Sequence, residues 1–288
     1  MGLFGTGQEG KRVFYKTHDE IRKLKAANEL VSKTLAEIAS ALKPGITGED
    51  LDKIAEEYIL DHGGRPAFKG YGAEKYPTPF PGSLCISYND IVVHGIPSKR
   101  EFKETDIVSV DCGVELEGYF GDAAFTFAFQ EVNEETLTLL RVTYASLYQG
   151  ISKATHGGRL QDISFAIQDF CERKHGYSIV RELVGHGVGR SLHEDPEVPN
   201  YGKRGKGMLL REGLVLAIEP MVNLGKKEIF QAEDGWTIHT RDRKPSAHYE
   251  HSVVVQKGKA EVLSDHTYLL SNVEANPHLQ TIHPLNQE

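Results

Sequence analysis

The chain has 288 residues, 39% of them hydrophobic, which is enough for one large domain or two small ones around a sizeable buried core. A formal net charge of −8 argues against nucleic acid as the main partner, and the basic Lys203-Arg204-Gly205-Lys206 stretch reads as a solvated turn. No apolar run approaches the roughly 18 residues a membrane helix needs, and Cys85, Cys112 and Cys171 are widely spaced without a CxxC pair or a secretory leader, so a cytoplasmic location away from membranes is expected.

In chain order, Met1-Gly2-Leu3-Phe4-Gly5-Thr6 matches the loose N-myristoylation pattern, which is short enough to occur by chance. Thr17-His-Asp-Glu20 is a capping box, and Ile21, Leu24, Leu30, Val31, Leu35, Ile38 and Leu42 follow at helical spacing until Pro44-Gly45 stops them. Thr47 opens a second helix through Leu51, Ile54, Ala55, Tyr58 and Ile59, ended by Gly63-Gly64. Strand-like material fills positions from about 83 to 130. The pattern then recurs. Asn133 caps a helix carrying Leu137, Leu140, Val142, Leu147 and Ile151, another runs from Leu160 to Gly176, and strands occupy about 179 to 263. Helix, helix, sheet, twice over, predicts an α+β protein of two similar halves, about 12–130 and 133–265, each laying its helices on one face of a mostly antiparallel sheet. Together they are expected to form one catalytic domain over 12–265, followed by an irregular tail over 266–288.

Chemistry enters at a predicted hairpin. Two strand-forming runs flank Glu117-Gly118, a moderate signal for a two-residue turn. That turn pairs Asp111 with Ala124 and Gly113 with Asp122, so period-two alternation puts both aspartates on one face as diagonal neighbours, roughly 7–8 Å apart. Like charges so close are unfavourable, and a divalent cation between them reverses the sign. A pair of hairpin aspartates is more commonly a solvated face, a lone histidine an ordinary polar residue, and a strand glutamate half of a salt bridge. Their company changes the balance. His186 and His193 lie in a glycine-rich stretch that lets backbone and ligand come close, Glu219 ends an apolar run, and Glu250 sits among strand formers. Four carboxylates and an imidazole, with no thiolate, suit Mn, Fe, Co or Zn in a catalytic site and not a structural zinc cage.

Phe68-Lys-Gly-Tyr71, Val92-Val-His94-Gly-Ile-Pro97, Val110-Asp111, Gly121-Asp122, Gly185-His186-Gly187 with His193, Ile218-Glu219-Pro220 and Tyr249-Glu250-His251 occur in this order. Over roughly residues 12 to 265 the chain thereby resembles the type I methionine aminopeptidases. The resemblance implies the pita-bread fold, with pseudo-symmetric halves that agree with the repeat, and metal ligands Asp111, Asp122, His186, Glu219 and Glu250. It implies two divalent ions per chain, Co, Mn, Fe, Zn or Ni, whose identity the sequence leaves open. His94 and His193 would contact substrate, and Phe68, Tyr71, Phe80, Cys85, Leu192 and Trp236 would line a methionine pocket. The short interval between His193 and Glu219 leaves no room for the helical insertion of type II enzymes, and the lack of a Cys/His-rich N-terminal extension makes the chain look bacterial-type. Two departures stand out: the extra stretch from Gly72 to Pro79, and Leu192 where bacterial members commonly carry Phe.

The resemblance implies removal of the initiator methionine from nascent proteins by a water bridging two cations. Glu219 would shuttle the proton and His193 or His94 would stabilise the developing charge. A pocket closed by Tyr71 and Trp236 would leave limited space at the next residue, which predicts cleavage before Gly, Ala or Ser. A monomer in transient contact with the ribosome is the family expectation. Two other readings compete. X-Pro peptidases such as prolidase and aminopeptidase P share the ligand pattern but carry a large additional N-terminal domain, for which a first helix opening at Thr17 leaves no room. Catalytically silent relatives used for binding lose ligands, whereas all five candidates are present here.

Overall fold

The structure is a computed structural model and describes residues 12–285, so the Met1–Thr6 pattern lies outside the described residues. Helix α1 (His18–Ala41) begins at the capping box: the Thr17 hydroxyl accepts from the Glu20 amide, and the Glu20 carboxylate accepts from the Thr17 amide at 3.0 Å. Its apolar face, with Leu24, Leu30, Val31, Leu35 and Ile38 buried, lies across the central hairpin. Gly121 permits that approach, since a Cβ there would stand 2.6 Å from the Ala27 carbonyl carbon. Helix α2 (Gly48–Asp61) repeats the capping device with Thr47 and Asp50.

The hairpin comprises the strands Ile107–Leu116 and Tyr119–Phe129. Glu117 and Gly118 both have positive φ, 51° and 77°, as a primed two-residue turn requires. The register follows from that turn: Leu116 opposes Tyr119, Gly113 opposes Asp122 and Asp111 opposes Ala124. The strand Leu84–Tyr88 pairs with the other edge of Ile107–Leu116 and sets Cys85 opposite Asp111.

In the second half, α3 (Glu134–Ile151) is capped by Asn133, and α4 (Leu160–Gln168) is continued by a π-helical turn, Asp169–Lys174. They precede a five-stranded antiparallel sheet in the order Glu261–Val262, His251–Val254, Val215–Ile218, Gly185–Gly187, Glu194–Val198. A three-stranded sheet joins Ile229–Gln231 and Ile238–Thr240 to Ile91–Val93 of the first half. One hydrophobic cluster runs from Val31 and Leu35 of α1 through Phe125 and Phe127 of the hairpin to Leu216 and Val253, so the two halves share a core.

The expectation of an irregular tail is corrected. Thr267–Ala275 forms helix α5, and Leu279–Gln280 pairs as a strand with Phe129 and Ala128. α5 packs on α1 through buried Leu269 and Val273. Asn276 Nδ2 donates to the carbonyls of Ala39 (2.7 Å) and Leu42 (2.8 Å), satisfying acceptors that the end of α1 leaves open. Two apolar anchors four residues apart are too few for a periodicity to be read, and the remaining anchors are amides.

Candidate metal centre

Asp111 and Asp122 stand on one face of the hairpin, and the second half brings three more donors to them. The Asp122 amide donates to Asn28 Oδ1 on α1 (3.2 Å), and its carbonyl accepts from the Ser252 hydroxyl (2.9 Å), so elements on either side fix its backbone. His186 occupies the middle of the short Gly185–Gly187 strand. Its neighbours are glycines because nothing larger fits: a Cβ at Gly185 would lie 2.3 Å from the Ala217 carbonyl oxygen, and one at Gly187 2.4 Å from that of Asp195. His186 Nδ1 lies 3.0 Å from the Gly187 carbonyl oxygen, which makes Nδ1 the protonated donor and leaves Nε2 toward the carboxylates. Nε2 is 3.5 Å from Glu219 Oε1 and 3.7 Å from Asp122 Oδ2. Glu219 follows the Val215–Ile218 strand, its carbonyl held by Asn200 Nδ2 at 2.8 Å. Glu250 lies between the strands Ser246–His248 and His251–Val254, and its amide donates to the Ala124 carbonyl at 2.9 Å, tying it to the hairpin.

Donor atoms of Asp122, His186 and Glu250 all lie within 4.8 Å of one another. Asp111 Oδ1, Asp122 Oδ1 and Glu250 Oε1 are buried without a hydrogen-bond partner among the described residues. Burial pushes all four carboxyls up, Asp111 and Glu219 each to about 7 and Asp122 and Glu250 well above their ordinary range. Repulsion from neighbouring carboxylates adds to this at Asp111, Asp122 and Glu250, while His248 opposes it at Asp111 and His186 at Glu219. Among the described residues their ion-pair partners are histidines, not Lys or Arg. Unpaired buried oxygens of one sign, with an imidazole nitrogen turned toward them, are what a divalent cation satisfies, so the donor set fits such an ion.

Around this cluster lies a cavity with about 860 Å³ of atom-free space, part of it open to solvent. Its walls contain all the residues that the sequence singled out: the five acidic and imidazole donors, His94, His193, Phe68, Tyr71, Phe80, Cys85, Leu192 and Trp236. Phe68, Phe80, Cys85 and Leu192 are between 3 and 8% exposed and make an apolar floor, with Tyr71 and Trp236 partly exposed beside it. The Tyr71 hydroxyl is 2.8 Å from His193 Nδ1, and the His193 and His186 rings lie 4.3 Å apart. His94 has φ 57°, the left-handed region, and burial together with the neighbouring His248 lowers it to about 4, so its imidazole is neutral at neutral pH.

Sequence reasoning missed two residues here. His248 is 2% exposed, with Nε2 3.7 Å from Glu219 Oε2 and no hydrogen-bond partner on that atom among the described residues. Its signal was its spacing, because in an extended segment it shares a face with Glu250. Tyr76 belongs to the extra Gly72–Pro79 stretch and lines the same cavity. No sequence signal assigned it a place.

The sequence pattern of metallopeptidase family M24 matches residues 22–257. Over 253 residues the chain is 47% identical to a methionine aminopeptidase of Clostridium perfringens, covering 88% of this chain and 98% of that one. It is similar to the crystal structure of methionine aminopeptidase from Thermotoga maritima, with a TM-score of 0.84 at 42% identity over 88% of this chain and 100% of that one. The prolidase from Pyrococcus furiosus, at 19% identity and a TM-score of 0.67 over 87% of this chain and 65% of its own, shares the fold alone. The architecture is therefore the pita-bread fold that the resemblance implied, in agreement with the two similar halves read from the repeat. With a family match across most of its length and a relative of nearly equal extent at this identity, the chain belongs to metallopeptidase family M24.

Proposed function

We propose that this protein is a methionine aminopeptidase, which removes the N-terminal methionine of nascent polypeptides when the second residue is small. In this reading residues 12–265 act as one catalytic domain, in the cytoplasm, as a monomer in transient contact with the ribosome. The observation that carries the reading is the convergence of unpaired buried carboxylate oxygens from both halves beside an apolar floor of Phe68, Phe80, Cys85 and Leu192.

Asp111, Asp122, His186, Glu219 and Glu250 would hold two divalent cations, Co, Mn, Fe, Zn or Ni. When bound, such ions lower the pKa of water from about 15.7 to about 7 and polarise a carbonyl. Glu219, which lines the cavity beside His186, would accept a proton from the attacking water and pass it to the leaving amine. The Tyr71 hydroxyl stands 2.8 Å from His193 Nδ1; donating there, it would leave the His193 proton on Nε2 for the developing oxyanion, a role that neutral His94 would share. Leu192, standing where an aromatic is common in bacterial members, keeps the floor apolar. Hydrolysis of Met-Ala-Ser beside Ala-Pro-Ala, with each cation added in turn, tests the reading. Cleavage of the proline peptide alone would transfer the chain to the X-Pro class, and an inert, cation-free protein would favour a silent binding relative.

A further inference from the structure

We propose that the Gly72–Pro79 loop and Trp236 form a single aromatic wall in which Tyr76 limits the size of the residue following the N-terminal methionine. This deepens the aminopeptidase reading and rests on it. The loop is closed at its base by hydrogen bonds from the Gly70 amide to the Phe80 carbonyl (2.8 Å) and from the Phe80 amide to the Tyr71 carbonyl (3.0 Å). Within it the Lys75 and Tyr76 amides both donate to the Gly72 carbonyl, at 2.8 and 2.9 Å. Gly72 has φ +77°, and a Cβ there would stand 2.5 Å from the Tyr76 ring and 3.1 Å from Trp236, so the two rings close over this position.

Trp236 is tied to the loop from the other side. Its Nε1 donates to the Thr78 carbonyl at 3.0 Å, and its ring lies 4.8 Å from that of Tyr76 and 5.4 Å edge-on from that of Phe80. Its backbone is pinned as well, since Asp234 Oδ1 accepts from the amides of Trp236 and Thr237, each at 2.8 Å. Trp236, held at its backbone and at its ring nitrogen, backs the Tyr76 ring, and a wall so supported discriminates by clash. The cavity floor is buried, whereas Tyr76 and Trp236 are partly exposed at the rim. A peptide whose methionine fills the floor leaves past this rim, where its second side chain meets the wall.

Trp236 is the chain's one tryptophan, so its fluorescence reports the wall without any need for turnover. The experiment compares the wild type with Tyr76→Ala, Tyr76→Phe and Gly72→Ala in two assays: emission with acrylamide quenching, and kcat/KM on Met-Gly-Ser against Met-Leu-Ser with manganese. We expect Tyr76→Ala to reduce the preference for Met-Gly-Ser about tenfold, while Tyr76→Phe, which keeps the ring, retains it. Both Tyr76→Ala and Gly72→Ala should shift the emission to the red and increase quenching. An active wild type and a folded Tyr76→Ala variant with the same preference would overturn the specificity role. Unchanged emission in both variants would overturn the coupling of loop and tryptophan. A wild type inert on both peptides would instead overturn the aminopeptidase reading, and this inference with it.

Discussion

Replacing Glu219 by Gln should stabilise the protein when cations are chelated and weaken it when they are present. Glu219 goes from 4.5 to about 7 in the folded chain, chiefly through burial. At about 1.4 kcal/mol per tenfold change in proton affinity, ionised Glu219 costs the folded state on the order of 3 kcal/mol. The cost is absent below about 4.5, where the carboxyl is protonated whether the chain is folded or not. It grows as pH rises and is complete above about 7, where the carboxyl is ionised in both states. Gln copies the neutral form, so in chelator the Glu219→Gln variant should melt above the wild type at pH 8, by about 6–12 °C at about 2–4 °C per kcal/mol. The gap should close toward pH 4.5. With excess manganese the order should invert, because a cation binding the folded state stabilises it in proportion to its excess over Kd, and the variant has lost a donor. Thermal melts from pH 4 to 8.5, with and without chelator, decide the matter. Identical melting in chelator at pH 8 would show that Glu219 carries no electrostatic strain and would refute the cluster argument.

Two further outcomes follow from named contacts. Glu219→Ala should lose about a hundredfold or more in turnover on Met-Ala-Ser, and near-wild-type turnover at full cation loading, measured by metal analysis, would remove Glu219 from the proton path. Leu269 on α5 is fully buried, so Leu269→Ala should destabilise by about 2–5 kcal/mol in urea unfolding. A loss below about 0.5 kcal/mol would mean that α5 lies outside the cooperative core.

The hairpin was legible because two local rules act together there. Glu117-Gly118 sets the register and alternation sets the face, so Asp111 and Asp122 could be paired before any long-range contact was known. The convergence of His186, Glu219 and Glu250 was not legible in that way. Each sits on or beside a strand of three or four residues, and which strands are neighbours is settled by the sheet order and not by local spacing. Their residue types and apolar or glycine-rich settings made them candidates and the family resemblance implied their role as ligands, while His248, two residues from Glu250, was passed over. The tail was misread for the opposite reason: its helix is anchored by Leu269, Val273 and the amides of Asn272 and Asn276, and side-chain amides leave no hydrophobic period.

A cluster of buried, mutually repelling carboxylates survives in a folded chain only if its surroundings stabilise the fold by more than the cluster weakens it. Here the Tyr119–Phe129 strand supplies much of the means, because beside the donors it bonds the second half to the first. It holds Ser252 at Asp122 and Glu250 at Ala124, and Thr126 holds both the His248 backbone and the Tyr249 hydroxyl. Behind these bonds Tyr249 is fully buried, edge-on to Phe125 at 5.0 Å and stacked on Tyr144 at 4.7 Å. The packing that fixes the donors thus continues into the core shared by both halves, and none of it requires an ion. Chelation should therefore lower the melting temperature without unfolding the protein at 25 °C, as judged by near-ultraviolet circular dichroism of the packed tyrosines. A chelated protein that lost this signal would show that the cation, and not the shared core, holds the two halves together.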